Sequence, residues 1–219
     1  MVKGPFITGP LKDLPRMGFY SERILPRLMD WTMSGESFAK YRQQLLADTY
    51  GQVLEIGFGT GLNLAYYPEA VESLTIVDPN PGMGKIASQR IQSAPIPVEK
   101  RILSGESLPM EDASFDCVVS TWTLCSIPEV EQALREIHRV LKPGGKFFFI
   151  EHGRSPEPGI QKWQDRLTPL QKVIADGCHL NRPIKSLVEK YFGQVSLEQF
   201  YEPETPKLAG YLYRGVATR

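Results

Sequence analysis

The 219-residue sequence lacks the long apolar runs and the cysteine patterns that mark membrane-spanning and disulfide-rich proteins. It contains no run of about 18 apolar residues, so no integral membrane segment is predicted. Its first residues carry no apolar stretch of signal-peptide length. The three cysteines, Cys117, Cys125 and Cys178, are odd in number and have no CxxC spacing. We therefore expect neither a disulfide framework nor a metal site, and we predict a reducing, cytoplasmic setting.

An excess of charge of either sign is also missing. Twenty-five Lys and Arg residues balance twenty-five Asp and Glu residues, which gives a formal net charge of zero. Proteins that bind nucleic acid usually carry a basic footprint, so a nucleic-acid partner is not expected. A hydrophobic share of 42% and a charged share of 23% indicate an ordinary globular protein.

The N-terminal region, residues 1–48, is predicted to be an arm followed by helices that together form a lid. Residues 1–19 are rich in Gly and Pro and show no periodicity, which favours an extended arm. From Ser21 to about Asp48 the pattern is helical, and Gly35 divides it into two helices.

Residues 49–219 show strands alternating with helices, which predicts βαβ units and a mostly parallel sheet. Apolar or alternating segments predict strands, and the clearest helix lies between Pro128 and Leu141. A helical insertion over 154–192 precedes two closing strands, whose short Pro-rich connection predicts an antiparallel hairpin. The expected fold is a doubly wound α/β, Rossmann-like sheet of seven strands with helices on both faces. Predicted strands are 52–57, 73–78, 98–103, 115–120, 146–151, 194–200 and 210–218.

A glycine-rich loop follows the first predicted strand, in the segment VLEIGFGTG at 53–61. Glycines permit positive φ angles and let a ligand approach the backbone, and the next helix start offers free N–H groups. The glycines have GxGxG spacing, with Leu62 where a dinucleotide fingerprint would be completed, and no Gly-Lys-Ser/Thr of a P-loop follows. The carboxylate of Glu55, two residues before the first glycine, suits a ligand amine better than a pyrophosphate.

The second strand ends in Asp78, followed by Pro79, Asn80 and Pro81. An acidic residue about 20 residues after such a loop can bind both hydroxyls of a ribose. Asp-Pro-Asn-Pro also favours a turn or a helix cap, so the carboxylate alone does not decide the matter.

Four motifs in order resemble the class I S-adenosylmethionine-dependent methyltransferases. VLEIGFGTG resembles their first motif and VDPNP (77–81) their ribose-binding motif. The segment at 105–121 resembles the third and fourth motifs, and LREIHRVLKPGGKFFFIEH (134–152) the helix, turn and strand that follow. The resemblance spans about residues 50–152 and implies an enzyme that binds S-adenosyl-L-methionine and releases S-adenosyl-L-homocysteine, with no metal.

The resemblance also assigns cofactor-binding roles residue by residue. The glycine loop would bind the methionine part, Asp78 the ribose, and the loop after the third strand the adenine. Many relatives have Asp where this chain has Ser104, whose hydroxyl accepts more weakly. Tyr20, at the junction of arm and helix, could close over the cofactor carboxylate or anchor the chain as an aromatic. The predicted cofactor residues are Tyr20, Glu55, Gly57, Gly59, Gly61, Asn63, Asp78, Pro79, Ser104, Gly105, Glu106, Thr121 and Trp122.

The acceptor is indicated by a narrower resemblance to alkyl-thiol methyltransferases, carried by TLCSI (123–127), FFIEHGRS (148–155) and DGCHLNRP (176–183). This implies a small apolar or amphipathic acceptor, with a thiol sulfur as one option. Alternatives are a quinone-ring C-methyltransferase, a phospholipid N-methyltransferase, a nicotinamide oxidoreductase, and a cofactor-binding module without catalysis. Acceptor regions diverge on this fold, so the residues leave these options open.

Candidate acceptor residues follow the fourth and fifth strands or lie in the helical insertion. His152, directly after the fifth strand, is a candidate catalytic residue or a structural hydrogen-bonding group. Cys125 could line the pocket or be a small buried apolar residue. The remaining substrate candidates are Asp176, His179 and Arg182, of which Asp176 and Arg182 could instead pair with each other. The oligomeric state is left open.

Overall fold

The structure, a computed structural model, describes residues 18–219. The arm predicted for residues 1–19 lies almost entirely outside the described residues. Within the described part, none of the helices combines the length and the apolar composition that crossing a bilayer requires.

The described residues form one seven-stranded sheet with the spatial strand order β3-β2-β1-β4-β5-β7-β6. Strands β1 to β5 pair in parallel, and β7 pairs antiparallel with both β5 and β6. The predicted α/β fold and its antiparallel C-terminal hairpin are confirmed. The strands are β1 (Gly51–Ile56), β2 (Val71–Val77), β3 (Val98–Arg101), β4 (Phe115–Thr121), β5 (Leu141–His152), β6 (Gln194–Tyr201) and β7 (Tyr211–Thr218).

The helices flank both faces of this sheet. A short π-helical segment, Tyr20–Ile24, leads into the first helix. Gly35 lies between the first and second helices, as the sequence predicted. The α-helices are α1 (Leu25–Met33), α2 (Glu36–Leu46), α3 (Pro81–Gln92), α4 (Val130–Val140), α5 (Pro158–Ile174) and α6 (Ile184–Tyr191).

The segment after the glycine loop departs from expectation. Instead of a full α-helix, Leu62–Tyr66 forms a single 3-10 turn that ends before Pro68. The residue before a proline is disfavoured in the helical region, and Tyr67 is extended with ψ 129°. The first crossover is therefore unusually short on this face of the sheet.

Two apolar clusters, one against each face, hold the sheet and its helices together. Helix α4 buries Ala133, Leu134, Ile137 and Val140, which recur at helical spacing, against one face. Leu45 and Leu46 of α2 pack in the other cluster. Since β1 and β4 are covered on both sides, they are nearly continuous apolar runs, as parallel strands in such folds are.

Candidate functional site

A cavity of about 450 Å³ opens at the carboxyl ends of β1, β2 and β4. In open α/β sheets this is where ligands bind, at the point where the strand order reverses. Here the chain leaves β1 toward β2 on one side, while β4 lies on the other. Helix α1 and the turn at 175–177 complete the wall from outside the sheet.

The glycine loop forms the floor of this cavity. Gly57, Gly59 and Gly61 have φ angles of 71°, 59° and 83°, a region that L side chains rarely adopt. A Cβ on Gly57 would lie 2.1 Å from the side chain of Thr123. The loop can therefore take this path only with glycine at position 57.

Glu55 lies beneath the loop and holds two other side chains. Its carboxylate accepts from the Asn63 amide nitrogen at 2.8 Å and from the Tyr67 hydroxyl at 2.7 Å. The carboxylate is 1% exposed, and burial raises its pKa to about 7, against the lowering effect of these two hydrogen bonds. Glu55 therefore acts on the cavity through Asn63.

Asn63 faces the cavity with one unfilled acceptor. Its Nδ2 group donates to Glu55 and, at 3.1 Å, to the Thr121 hydroxyl. Its Oδ1 atom is buried and has no partner among the described residues. An unpaired buried carbonyl is costly, so this oxygen is suited to accept from a ligand ammonium group.

Asp78 is held rigidly at the end of β2. One carboxylate oxygen accepts from the Gly59 N–H at 2.8 Å and the other from the Asn80 N–H at 2.8 Å. Burial raises the pKa of Asp78 to about 6, while those two hydrogen bonds lower it. Each oxygen keeps a free lone pair for a ligand hydroxyl.

Hydrogen bonds between its own residues hold the loop after β3 together. The Ser104 hydroxyl donates to Glu106 at 2.8 Å and accepts from the Glu106 N–H at 3.3 Å. The other Glu106 oxygen accepts from the Glu129 N–H at 2.6 Å. Ser104 therefore braces this loop and occupies the Glu106 N–H. Adenine contacts at Gly105 and Glu106 stay a prediction.

Trp122 and Arg42 form the wall beyond Asn63. Trp122 has a φ of 51°, and its Nε1 is buried without a partner among the described residues. The Arg42 guanidinium lies 4.9 Å from the Trp122 ring centroid and donates to the Met33 carbonyl at 2.8 Å. Burial lowers the pKa of Arg42 to about 10, so it stays cationic at neutral pH.

Ten of the thirteen predicted cofactor residues line the cavity. Of the others, Glu55 lies below it, Gly61 begins the 3-10 turn, and the Tyr20 hydroxyl donates to the Ile174 carbonyl oxygen at 2.9 Å. The ten are Gly57, Gly59, Asn63, Asp78, Pro79, Ser104, Gly105, Glu106, Thr121 and Trp122.

The predicted acceptor residues divide differently. Asp176 lines the cavity, and its carboxylate accepts from the Ser21 hydroxyl at 3.4 Å. It does not pair with Arg182, which is buried and donates to the carbonyls of Leu124 and Ile127. Cys125, His152 and His179 likewise lie behind the cavity wall rather than on it. A catalytic role for His152 stays a prediction, in a position where the ring does not face the cavity.

Sequence reasoning missed the residues that α1 and α2 bring to the site. Leu25, Met29 and Met33 of α1 line the cavity, and Arg42 comes from α2. The first three are spaced by four residues, which was readable as one helix face, but nothing local connects that face to the glycine loop.

These features fit S-adenosylmethionine. The unpaired Asn63 oxygen suits its ammonium group, Asp78 its ribose, and the glycine loop the close approach of its carboxylate. The fold is that of S-adenosylmethionine-dependent methyltransferases.

Comparisons with known proteins agree. The model of the methyltransferase domain family matches residues 54–149. Thiol S-methyltransferase TMT1B of Rattus norvegicus is 41% identical over 212 residues, covering 88% of this chain and 86% of that protein. The ubiquinone/menaquinone biosynthesis C-methyltransferase UbiE of Bartonella tribocorum is 32% identical, over 65% of this chain and 59% of that protein.

Solved structures resemble the chain in fold. A SAM-dependent methyltransferase from Thermotoga maritima has a TM-score of 0.65 at 22% identity, covering 90% of this chain and 96% of that one. Another from Aquifex aeolicus has a TM-score of 0.59 at 15% identity, covering 88% and 97%. The chain belongs to the family of the TMT1 thiol S-methyltransferases, within the S-adenosylmethionine-dependent methyltransferases.

Proposed function

We propose that this enzyme methylates the sulfur of a small apolar or amphipathic thiol, releasing the thiol proton to solvent. The observation that carries the proposal is the 41% identity to rat thiol S-methyltransferase TMT1B along most of both chains. The similarity to UbiE is lower and covers less of each protein.

The composition of the acceptor wall supports this choice. Apolar side chains from α1, together with Trp122 and Ile127, line the cavity beside the glycine loop. Such a surface gains free energy by burying an alkyl or aryl group, at about 25 cal/mol per Å².

Thiols also place a small demand on the protein. S-adenosylmethionine, when bound, supplies a methyl group already activated on a sulfonium sulfur. A thiol with a pKa near 8.5 is about a few per cent thiolate at neutral pH, and the thiolate is a strong nucleophile without a general base. The residues need only align the sulfur with the methyl group. Such alignment can lower the barrier by roughly 7–11 kcal/mol.

We assign the residues the following parts. Asn63 and the glycine loop orient the methionine part of the cofactor, and Asp78 fixes its ribose. Arg42, a buried cation against Trp122, favours the thiolate form of an acceptor bound nearby. The N-terminal segment and the 154–192 insertion, joined by Tyr20 and Ile174, form a lid that keeps water from the acceptor.

The experiment is to measure S-adenosylhomocysteine formation with alkyl and aryl thiols, and with quinols, phenols, amines and ethanolamine phospholipids in parallel. Asp78→Asn keeps the shape of the side chain but removes its charge. It also replaces one carboxylate oxygen, which can accept a hydrogen bond from a ribose hydroxyl, with an amide NH2 group, which cannot. Asp48→Asn, at an exposed position, is the matched control. We expect turnover with thiols, lost in Asp78→Asn and kept in Asp48→Asn.

Turnover confined to quinols would replace the thiol assignment with ring C-methylation, and turnover confined to the phospholipid would replace it with N-methylation. Cofactor binding by calorimetry without turnover on any acceptor would favour a binding module that has lost catalysis.

A further inference from the structure

Behind the cavity wall, the side chains of Cys125, His152 and Cys178 converge. Their ligand atoms all lie within 4.8 Å of one another, and His152 Nε2 is 3.0 Å from Cys178 Sγ. The three residues come from the turn after β4, the end of β5 and the turn after α5. They are 2%, 9% and 6% exposed, so the cluster is nearly closed to solvent.

The backbone around the cluster is fixed by its own hydrogen bonds. The buried Glu151 carboxylate accepts from the N–H groups of Thr123, Leu124 and Cys125. The N–H of His179 donates to the Cys125 carbonyl at 2.9 Å, which ties the two cysteine-bearing turns together. The three side chains are therefore preorganised before any ligand arrives.

Apart from the contact between His152 and Cys178, the two sulfur atoms have only long contacts to protein groups in the described part of the chain. Cys125 Sγ is 3.6 Å from both the Trp122 carbonyl oxygen and the Ser126 hydroxyl oxygen, and Cys178 Sγ is 3.8 Å from the Gln171 amide nitrogen. Cysteine binds a metal as the thiolate, and two thiolates would neutralise a divalent cation placed between these sulfurs.

Two sulfurs and an imidazole nitrogen form a donor set that suits zinc. A nearby side chain can supply a fourth contact: the Gln171 amide nitrogen is 3.8 Å from Cys178 Sγ, and a turned amide would present its oxygen there. We propose that Cys125, His152 and Cys178 bind a Zn²⁺ ion, with release of both thiol protons. This reverses the expectation, drawn from the absence of CxxC spacing, that the chain has no metal site.

The ion would fasten two walls of the methyltransferase cavity. Thr123 and Ser126, which flank Cys125, line the cavity, as do Asp176 and Gly177, which precede Cys178. A bond from each cysteine to one ion would hold these turns at a fixed separation. Zinc binding is measured without methyl transfer, so its result does not depend on whether the methyl acceptor is a thiol.

The test uses the full chain, purified under reducing conditions without chelator. We expect about one zinc per chain by mass spectrometry of the metal content. Metal-free protein titrated with Co²⁺ should develop thiolate-to-cobalt charge-transfer absorption that saturates at one ion per chain and disappears on adding Zn²⁺. Cys125→Ser and Cys178→Ser should each lower zinc affinity by more than the roughly 10–100-fold that loss of an outer-shell partner costs.

Cys117→Ser is the matched control, since Cys117 is equally buried but lies inside β4, away from the cluster. It should keep the cobalt absorption. The wild-type titration decides the matter even if a cluster variant does not fold. Protein without retained zinc and without thiolate-to-cobalt absorption would overturn the proposal, as would absorption that survives in Cys178→Ser or a native Cys125–Cys178 disulfide.

Discussion

The Tyr20 hydroxyl donates to the carbonyl oxygen of Ile174 at 2.9 Å, joining two segments that are 154 residues apart. Beside it, the Ser21 hydroxyl donates to Asp176 at 3.4 Å. These contacts connect the N-terminal helices to the end of α5 and to the turn that follows it. Asp176 and Gly177 of that turn line the cavity.

Tyr20→Phe should loosen this connection without removing the ring. One partly exposed hydrogen bond contributes about 1 kcal/mol, so we expect the KM for the acceptor to rise about fivefold with kcat nearly unchanged. Amide hydrogen exchange at 174–177 should speed up in the variant. Tyr50→Phe, exposed at the start of β1, is the control; equal exchange in both variants would show that Tyr20 does not hold the lid.

Glu55→Gln should flatten the pH dependence of stability. Burial raises the pKa of Glu55 from 4.5 to about 7, so the folded chain keeps a proton that the unfolded chain releases between these values. The free energy of unfolding therefore falls as pH rises across this window, by about 3 kcal/mol from this group.

Urea denaturation at about pH 5 and about pH 8 measures that fall. We expect a steeper decrease for wild type than for Glu55→Gln. Asp78, whose pKa is also raised, is present in both proteins, so the difference reports Glu55 together with its interaction with Asp78. Parallel pH profiles would show that Glu55 is ionised throughout.

Gly57→Ala should abolish cofactor binding. The new Cβ would meet Thr123 at 2.1 Å in a backbone with φ 71°, and left-handed backbone alone costs about 1 kcal/mol for alanine. Gly159→Ala, where a Cβ meets nothing within 4 Å, should bind S-adenosylhomocysteine as wild type does. Calorimetric titration distinguishes the two, and unimpaired binding by Gly57→Ala would refute the role of the loop.

Arg42→Met should weaken thiol methylation most at low pH. Losing a buried cation near the acceptor raises the thiol pKa, so kcat/KM at neutral pH should fall about tenfold, equivalent to one pKa unit. The deficit should shrink above the thiol pKa, and Arg42→Lys should restore part of the rate. A deficit that is constant with pH would mean that Arg42 only packs against Trp122.

The cofactor side of the site was readable from the sequence, since its chemistry is local. The glycine loop and Asp78 each follow a strand directly, and parallel strands bring such ends to one edge. Arg42 was not readable, because its place depends on how α2 packs on the sheet. The Cys125, His152 and Cys178 cluster was missed for a similar reason: His152 and Cys178 are 26 residues apart and share no local motif.

Ser104 shows a third limit of prediction from the sequence, which concerns the direction of a hydrogen bond. Its position in the adenine loop was predicted, but the direction of its hydroxyl toward Glu106 follows from the tight turn of that loop. The residue type alone leaves a hydroxyl free to donate or to accept.

Strand β7 lies between β5 and β6, although the chain makes it after both. During synthesis, one edge of β5 therefore stays unpaired while α5, α6 and β6 emerge from the ribosome. Exposed edges of this kind invite pairing with other chains. The nascent enzyme should therefore be most vulnerable to aggregation shortly before β7 arrives, when its cofactor-binding half is already formed.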